Sequence, residues 1–287
     1  MNVDKLRVPE KKTVRLAEWS TVAMDTDLTK DNAQALLQEG TEKLADLQAR
    51  LHAQNTYGLL VILQGIDASG KDGTIKHVMS GVNPSGCQVK SFKIPSVEEL
   101  DHDYLWRYGR ALPERGNIGI FNRSYYEEVL VVRVHPELLA RQQIPGKKRE
   151  KFWEARYDEI NRFEGYLEHN GIEVLKFFLH ISKGEQKKRF LSRLTSPDKN
   201  WKFSEGDVKE RTYWDQYTAA FEDMLSHTST AAVPWYVIPA DQKWYSRLAV
   251  SQIIVDKLVS LKLDYPKLDD EAKQALERAK KLLENEK

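Results

Sequence analysis

Leu59-Leu60-Val61-Ile62-Leu63, followed after one residue by Gly65-Ile66-Asp67-Ala68-Ser69-Gly70-Lys71-Asp72-Gly73-Thr74, is the stretch on which the fold turns. A short apolar run that is continuous rather than alternating predicts a strand buried on both faces, the usual state in a parallel sheet. The segment after it carries a Gly-x4-Gly-Lys spacing and opens a helical pattern, the context of a phosphate loop. Small residues let backbone N–H groups curl around phosphate oxygens, and the helix N-terminus adds the positive end of its dipole. Lys71 then brings a point charge to bridging or terminal phosphates. The expected phosphate-binding residues are Gly65, Ala68, Ser69, Gly70, Lys71, Asp72, Gly73 and Thr74. The competing reading, an ordinary glycine-containing turn, is disfavoured because spacing and context agree. Two acids depart from the usual pattern. Asp72 stands where a Ser or Thr hydroxyl normally binds Mg2+, with Thr74 two residues later, and Asp67 lies inside the loop. A carboxylate in a phosphate cradle is unfavourable unless a metal neutralises it or it handles a proton. Asp67 is therefore expected to help hold Mg2+ or to orient the attacking phosphate oxygen.

Outward from the loop, apolar residues at helical spacing (Ala35, Leu37, Leu44, Leu47, Leu51) predict a long helix over 31–54. Strands are expected at Leu59–Leu63, Val89–Ile94, Ile118–Phe121, Val174–Ile181 and Trp235–Pro239. Helical patterns cover roughly 71–81, 97–112, 148–170, 183–194, 207–226 and 241–262. Strands alternating with helices predict an α/β doubly wound fold. No linker or internal repeat divides the chain. The reading is an N-terminal arm (1–30), one phosphate-loop domain (31–265) and a charged C-terminal helix (266–287).

Composition closes other doors. The single cysteine, Cys87, makes no intramolecular disulfide and reads as a packing residue, which fits a reducing compartment. No apolar run approaches the ~20 residues of a membrane span, and the first residues lack the apolar core of a secretory signal. A cytoplasmic protein without membrane or nucleic-acid partners is expected. The balance of 44 Lys+Arg against 43 Asp+Glu argues against a generally basic coat but allows a local basic groove. The seven histidines show no metal-ligand or triad pattern.

A second constellation follows the strand Ile118–Phe121: Asn122-Arg123-Ser124-Tyr125-Tyr126-Glu127-Glu128. Strands beside a phosphate loop normally end in an acid that reaches the metal; here the end is Asn122, with Arg123 read as a phosphate clamp. The phosphate loop, Gly81–Gly86, Asp103–Arg107, Phe121–Glu128, Trp201-Lys202-Phe203 and Trp235–Ala240 together resemble the family-2 polyphosphate kinases over about residues 30–262. The resemblance implies a P-loop kinase fold related to thymidylate kinases. It also implies reversible phosphoryl transfer between inorganic polyphosphate and nucleotides with Mg2+. The run from Asn122 to Val134 looks like the class III members, which phosphorylate both nucleoside monophosphates and diphosphates. The Trp-Tyr-Asn-type sequence of the other classes is absent. Glu128 stands where that class commonly has Asp. Family resemblance further implies a homodimer or homotetramer.

A polyphosphate chain needs clustered cations, and its binding should weaken with salt. One cluster is Lys147-Lys148-Arg149 with Lys151, for which a solvated helix face is an equal reading. The other runs from Lys183 through Lys187, Lys188, Arg189 and Arg193 to Lys199 and Lys202. It occupies the position of a lid, about 183–211, that closes over transferring phosphates. Asp67, Lys71, Arg123, Arg189 and Arg193 form the expected catalytic set, and Lys199 and Lys202 add phosphate contacts. Asn122, Arg123, Tyr126, Glu127 and Glu128 are placed on the nucleotide side, for adenine and by extension guanine nucleotides. Tyr125, Tyr126 and Trp201 are candidate base partners, whereas Trp106, Trp153, Trp214 and Trp244 read as core. The rivals are an ATP-dependent nucleoside monophosphate kinase of the thymidylate-kinase type and a polyanion-binding P-loop module without turnover.

Overall fold

Strand β1 (Gly58–Gln64) is buried along its whole length. Because side chains alternate across a sheet, its apolar run splits between two cores. Leu59, Val61 and Leu63 enter one cluster and Leu60 and Ile62 the other. Burying each such side chain contributes about 1.5–3 kcal/mol, which is why the run is continuous. β1 is the centre of a parallel sheet with β2 (Cys87–Ser91), β3 (Ile118–Asn122), β4 (Ile172–His180) and β5 (Trp235–Pro239), in the order β2-β3-β1-β4-β5. The computed structural model describes residues 1–25, 27–145, 151–198 and 200–286. The basic run Lys147-Lys148-Arg149, Lys199 and the side chain of Lys202 lie outside the described residues.

The helices are α1 (Lys30–Gln54), α2 (Lys71–Val78), α3 (Val97–Asp101), α4 (Trp106–Gly109), α5 (Val131–Val134) and α6 (Pro136–Ala140). They continue with α7 (Phe152–His169), α8 (Lys183–Thr195), α9 (Glu205–Glu210), α10 (Trp214–Thr228), α11 (Lys243–Ser260) and α12 (Asp270–Glu284). α1, α2 and α11 cover one face of the sheet, and α7 and α10 the other. α1 starts at a capping box, with Thr29 and Asn32 satisfying each other's backbone N–H groups. Its buried stripe is Ala33, Thr41, Leu44, Leu47, Gln48 and Leu51, so the expected Ala35 faces solvent. The arm lies along the β5 edge of the sheet, where Arg7 bridges Tyr236, Val8 N–H donates to Trp235 O at 2.8 Å and Leu6, Val8, Val14 and Leu16 are buried.

Three expected helices differ. The 97–112 pattern is broken into α3 and α4 because His102 is extended and Asp103 caps Leu105 N–H at 2.9 Å. The 207–226 pattern splits into α9 and α10 around a 3-10 turn at Arg211–Tyr213. The 71–81 pattern ends at Val78. β2 runs Cys87–Ser91 rather than to Ile94, and as an edge strand it is largely exposed. Trp106, Trp153, Trp214 and Trp244 are half-buried; Trp235 is the tryptophan that is fully enclosed.

Candidate active site

The C-terminal ends of β1 and β3 place the two sequence-predicted constellations side by side, since Leu63 pairs with Asn122. Ligands of open α/β sheets bind at such strand ends. The loop after β1 turns through positive φ at Ala68 (64°) and Gly70 (110°). Gly65 is required for close packing, because a Cβ there would meet Leu179 O at 2.9 Å. Lys71, the first residue of α2, is buried at 8% exposure and donates from Nζ to Gly65 O at 2.6 Å and Ile66 O at 3.4 Å. Burial, with the nearby Arg123 guanidinium second, lowers its pKa to about 8. Its ammonium thus rests on the loop's own carbonyls in a desolvated position, where an incoming phosphate would restore the charge.

Arg123 leaves β3 with φ at +65°, a left-handed conformation that costs a non-glycine residue about 1 kcal/mol or more. Its backbone N–H still donates to Leu63 O at 3.1 Å. The strained turn aims the guanidinium across the gap, where Nη2 donates to Asp67 Oδ1 at 2.5 Å and Nη1 approaches Glu127 Oε2 at 3.5 Å. Those two carboxylates hold the Arg123 pKa above its ordinary value, Glu127 contributing most. Burial raises the Glu127 pKa against the pull of Arg123 and Lys71. Asn122 Nδ2 donates to Asp72 Oδ1 at 2.7 Å, so Asp72 is tied to β3. Asp67, Lys71, Arg123 and Glu127 are therefore brought together, with Asn122 and Asp72 beside them.

Arg189 has a different place. Its guanidinium offers five N–H donors, and five acceptors take them: Glu185 Oε1, Ala68 O, Ser69 O, Ala240 O and Asp241 O, at 2.6–3.0 Å. No donor remains for a phosphate, so the expected neutralising role is corrected to a positioning one: Arg189 staples the phosphate loop to the turn after β5. Arg193 pairs with Asp207 of α9 at 3.3 Å and lies outside the group around Arg123. Tyr126 is also corrected. It is fully buried, its hydroxyl donates to Glu164 Oε1 at 2.7 Å, and it packs edge-on to Trp235, so it cannot stack on a base. Tyr125 donates to the same carboxylate at 2.8 Å. Trp201 stays 76% exposed in the 183–211 segment. Glu128 is buried at 5% exposure, accepts from Gln142 Nε2 at 2.7 Å and lies 3.3 Å from Arg156 Nε.

Two hollows meet at Arg123. A small one of about 40 Å³ lies against Gly65–Asp67 and is walled by Gln186, Asp207, Glu210, Arg211 and Tyr217. A cleft of about 910 Å³, large enough for a nucleotide, lies between the loop after β2 and the α5–α7 side. Arg123, Glu127, Val131 and Glu210 wall both. The cleft adds Phe92 and Arg156, which sequence reasoning missed, and Tyr104 and Arg107, which it noted only as part of the Asp103–Arg107 motif. Gln186, Asp207 and Arg211 were missed as well; Gln186 donates to Asp67 O at 2.9 Å and accepts from Arg211 Nη1 at 2.6 Å. Nothing in helical periodicity marks such polar residues as facing a loop distant in sequence. No group of three or more Asp, Glu, His or Cys side chains among the described residues forms a ready-made metal cage. Mg2+, however, takes few protein ligands and fills its octahedron with phosphate oxygens and water. Asp67, whose Oδ2 takes no hydrogen bond from a described residue, and Glu127 fit that need.

Comparison with known proteins agrees with this geometry. The chain is 52% identical over 264 residues to an ADP-polyphosphate phosphotransferase of Rhodopseudomonas palustris, covering 91% of each chain. It is 48% identical over 234 residues to an AMP/ADP-polyphosphate phosphotransferase of Meiothermus ruber, covering 82% of this chain and 83% of that one. The crystal structure of polyphosphate kinase 2 from Arthrobacter aurescens superposes with a TM-score of 0.86 at 40% identity, covering 95% of each chain. The fold is accordingly that of a P-loop kinase. The profile of the family described as Polyphosphate kinase 2 (PPK2) matches residues 27–266, and the chain belongs to that family.

Proposed function

We propose that the protein transfers the terminal phosphoryl group of inorganic polyphosphate to AMP and ADP, towards ATP, and runs the reverse reaction. The observation that carries this reading is the position of Arg123. It stands against Asp67 of the phosphate loop on one side and on the wall of the nucleotide-sized cleft on the other. An acceptor lying in the cleft presents its terminal phosphate oxygen to the donor phosphate on the loop. A new P–O bond forms to the acceptor, the anhydride bond to the penultimate phosphate breaks, and the shortened chain leaves as an anion. No protein nucleophile is required, since the acceptor oxygen is already ionised at neutral pH. Catalysis is then positioning plus charge stabilisation.

Backbone N–H groups at Ala68 and Gly70–Gly73 and the ammonium of Lys71 hold the transferred group, the Ser69 and Thr74 N–H groups being taken by Ile66 O and Gly70 O, and Arg123 spans donor and acceptor phosphates. Asp67 and Glu127 would hold Mg2+, which supplies charge neutralisation on the phosphate oxygens when bound. Glu128 and Arg156 face the acceptor side. The lid residues Arg193, Lys199 and Lys202 are proposed to approach the donor chain as the lid closes. Both near relatives are named for polyphosphate, which favours this over an ATP-dependent nucleotide kinase and over a binder without turnover. The test is incubation with long-chain polyphosphate and either AMP or ADP, with Mg2+ and no ATP. ADP and ATP are expected products. A requirement for ATP as donor, or salt-sensitive polyphosphate binding with no turnover, overturns the proposal. Assembly as a homodimer or homotetramer in the cytoplasm is part of the same family reading. Among the described residues no helix is long and apolar enough to cross a membrane.

A further inference from the structure

Two arginines flank the first turn of α2, and their situations are opposite. Arg189 approaches Gly70, where a Cβ would lie 3.5 Å from Nη1, and has every donor engaged by a protein oxygen. Arg247 reaches the same turn from α11, where a Cβ on Gly73 would lie 3.7 Å from its Nη2. The Arg247 guanidinium makes no hydrogen bond and no ion pair with any described residue. Its side chain is only half exposed, and burial, with the like charge of Arg189 second, lowers its pKa. A partly desolvated cation that faces a second cation and no carboxylate is unfavourable. An arriving anion relieves both the desolvation and the repulsion.

The direction from which that anion comes follows from topology. The nucleotide-sized cleft lies on the β2–β3 side of the phosphate loop, and Arg247 walls neither hollow. α11 follows β5, at the opposite edge of the sheet. A nucleotide in the cleft therefore leaves the α2–α11 side of the loop to the donor. Lys243, one turn before Arg247, and Lys76, one turn after Gly73, continue positive charge along the same two helices. A planar guanidinium whose donors meet no acceptor among the described residues suits a chain of phosphates better than a point charge does.

We infer that Arg247 contacts the polyphosphate chain behind the phosphate held by the loop, and that this contact helps select a polyphosphate donor. The inference rests on the polyphosphate reading above, and its test separates the two. Steady-state kinetics with ADP and long-chain polyphosphate are compared for wild type, Arg247→Ala, Arg247→Gln and Arg247→Lys. The glutamine variant keeps most of the stem, so a folding defect in the alanine variant cannot stand in for the answer. Loss of the charge is expected to raise KM for polyphosphate about tenfold, with KM for ADP and Tm unchanged. The slope of log KM against log salt should fall by about 0.7, as for one phosphate contact on a single-stranded polyanion, and lysine should recover part of the affinity. A polyphosphate KM within twofold of wild type in the glutamine variant overturns the inference. So does an equal rise in both KM values with a lowered Tm, which marks a packing role. Failure of the wild type to use polyphosphate removes the functional reading itself.

Discussion

Two acid–base pairs of nearly equal length occur in this molecule. Lys176 Nζ meets Glu164 Oε2 at 2.6 Å with both side chains essentially unexposed (0% and 1%). Arg123 Nη2 meets Asp67 Oδ1 at 2.5 Å with both about one-third exposed (37% and 29%). The sealed pair is saturated: Lys176 also donates to Tyr126 Oη and Thr228 O, and Glu164 accepts from both Tyr125 and Tyr126. Such a network has no free valence and no route for a ligand, so it specifies how α7, β4, α10 and the turn after β3 pack. The open pair keeps an unused Asp67 oxygen and borders two hollows. It can exchange its internal contact for a phosphate or a metal ion. Distance alone does not separate a structural ion pair from a reacting one; satisfaction and access do.

That contrast can be broken by mutation. The largest effect should come from the open site: Lys71→Ala or Asp67→Asn is expected to lower the transfer rate about 10³-fold or more, with the circular dichroism spectrum and Tm unchanged. Full activity in either variant would sink the site assignment. Glu164→Ala, which leaves Lys176 charged and unpaired in the core, should instead cost about 3–5 kcal/mol of stability in denaturant titration. Turnover per folded molecule should stay near wild type. If activity and not stability fell, the sealed pair would belong to the site.

A pH series tests the open side more gently. Because burial lowers the Lys71 pKa to about 8, the free enzyme loses that charge as pH rises through this value. Polyphosphate binding then requires proton uptake, so KM for polyphosphate should climb above pH 8 while staying level between pH 6.5 and 7.5. Lys71→Arg, which keeps its charge, should abolish that rise even if its rate is low. The smallest effect is expected for Tyr126→Phe, which removes one buried hydroxyl from a shared carboxylate and should cost about 1 kcal/mol of stability. A large rise in nucleotide KM in that variant would return Tyr126 to the cleft.

How much of this was legible in the residues can be judged element by element. β1 and its loop were, because a strand buried on both faces writes a continuous apolar run and a phosphate cradle demands small residues before a lysine. Arg123 was, through its place at the end of the neighbouring strand. Tyr126 was misread because the segment after β3 is a 3-10 turn whose two tyrosines point inward, and aromatic identity says nothing about direction. Arg189 was misread because its five acceptors come from Glu185 and from backbone carbonyls more than fifty residues away, which leave no trace in composition.

The sequence by itself determined the parallel sheet, the phosphate loop and the family, since these depend on local spacing and on periodicity along the chain. Tertiary structure alone decided which charges are spent and which are free. A cation's role depends on how many acceptors reach it in space. Arg189 and Arg247 are the same residue type reaching the same turn of α2, and only the folded molecule shows that one is saturated while the other has no partner among the described residues.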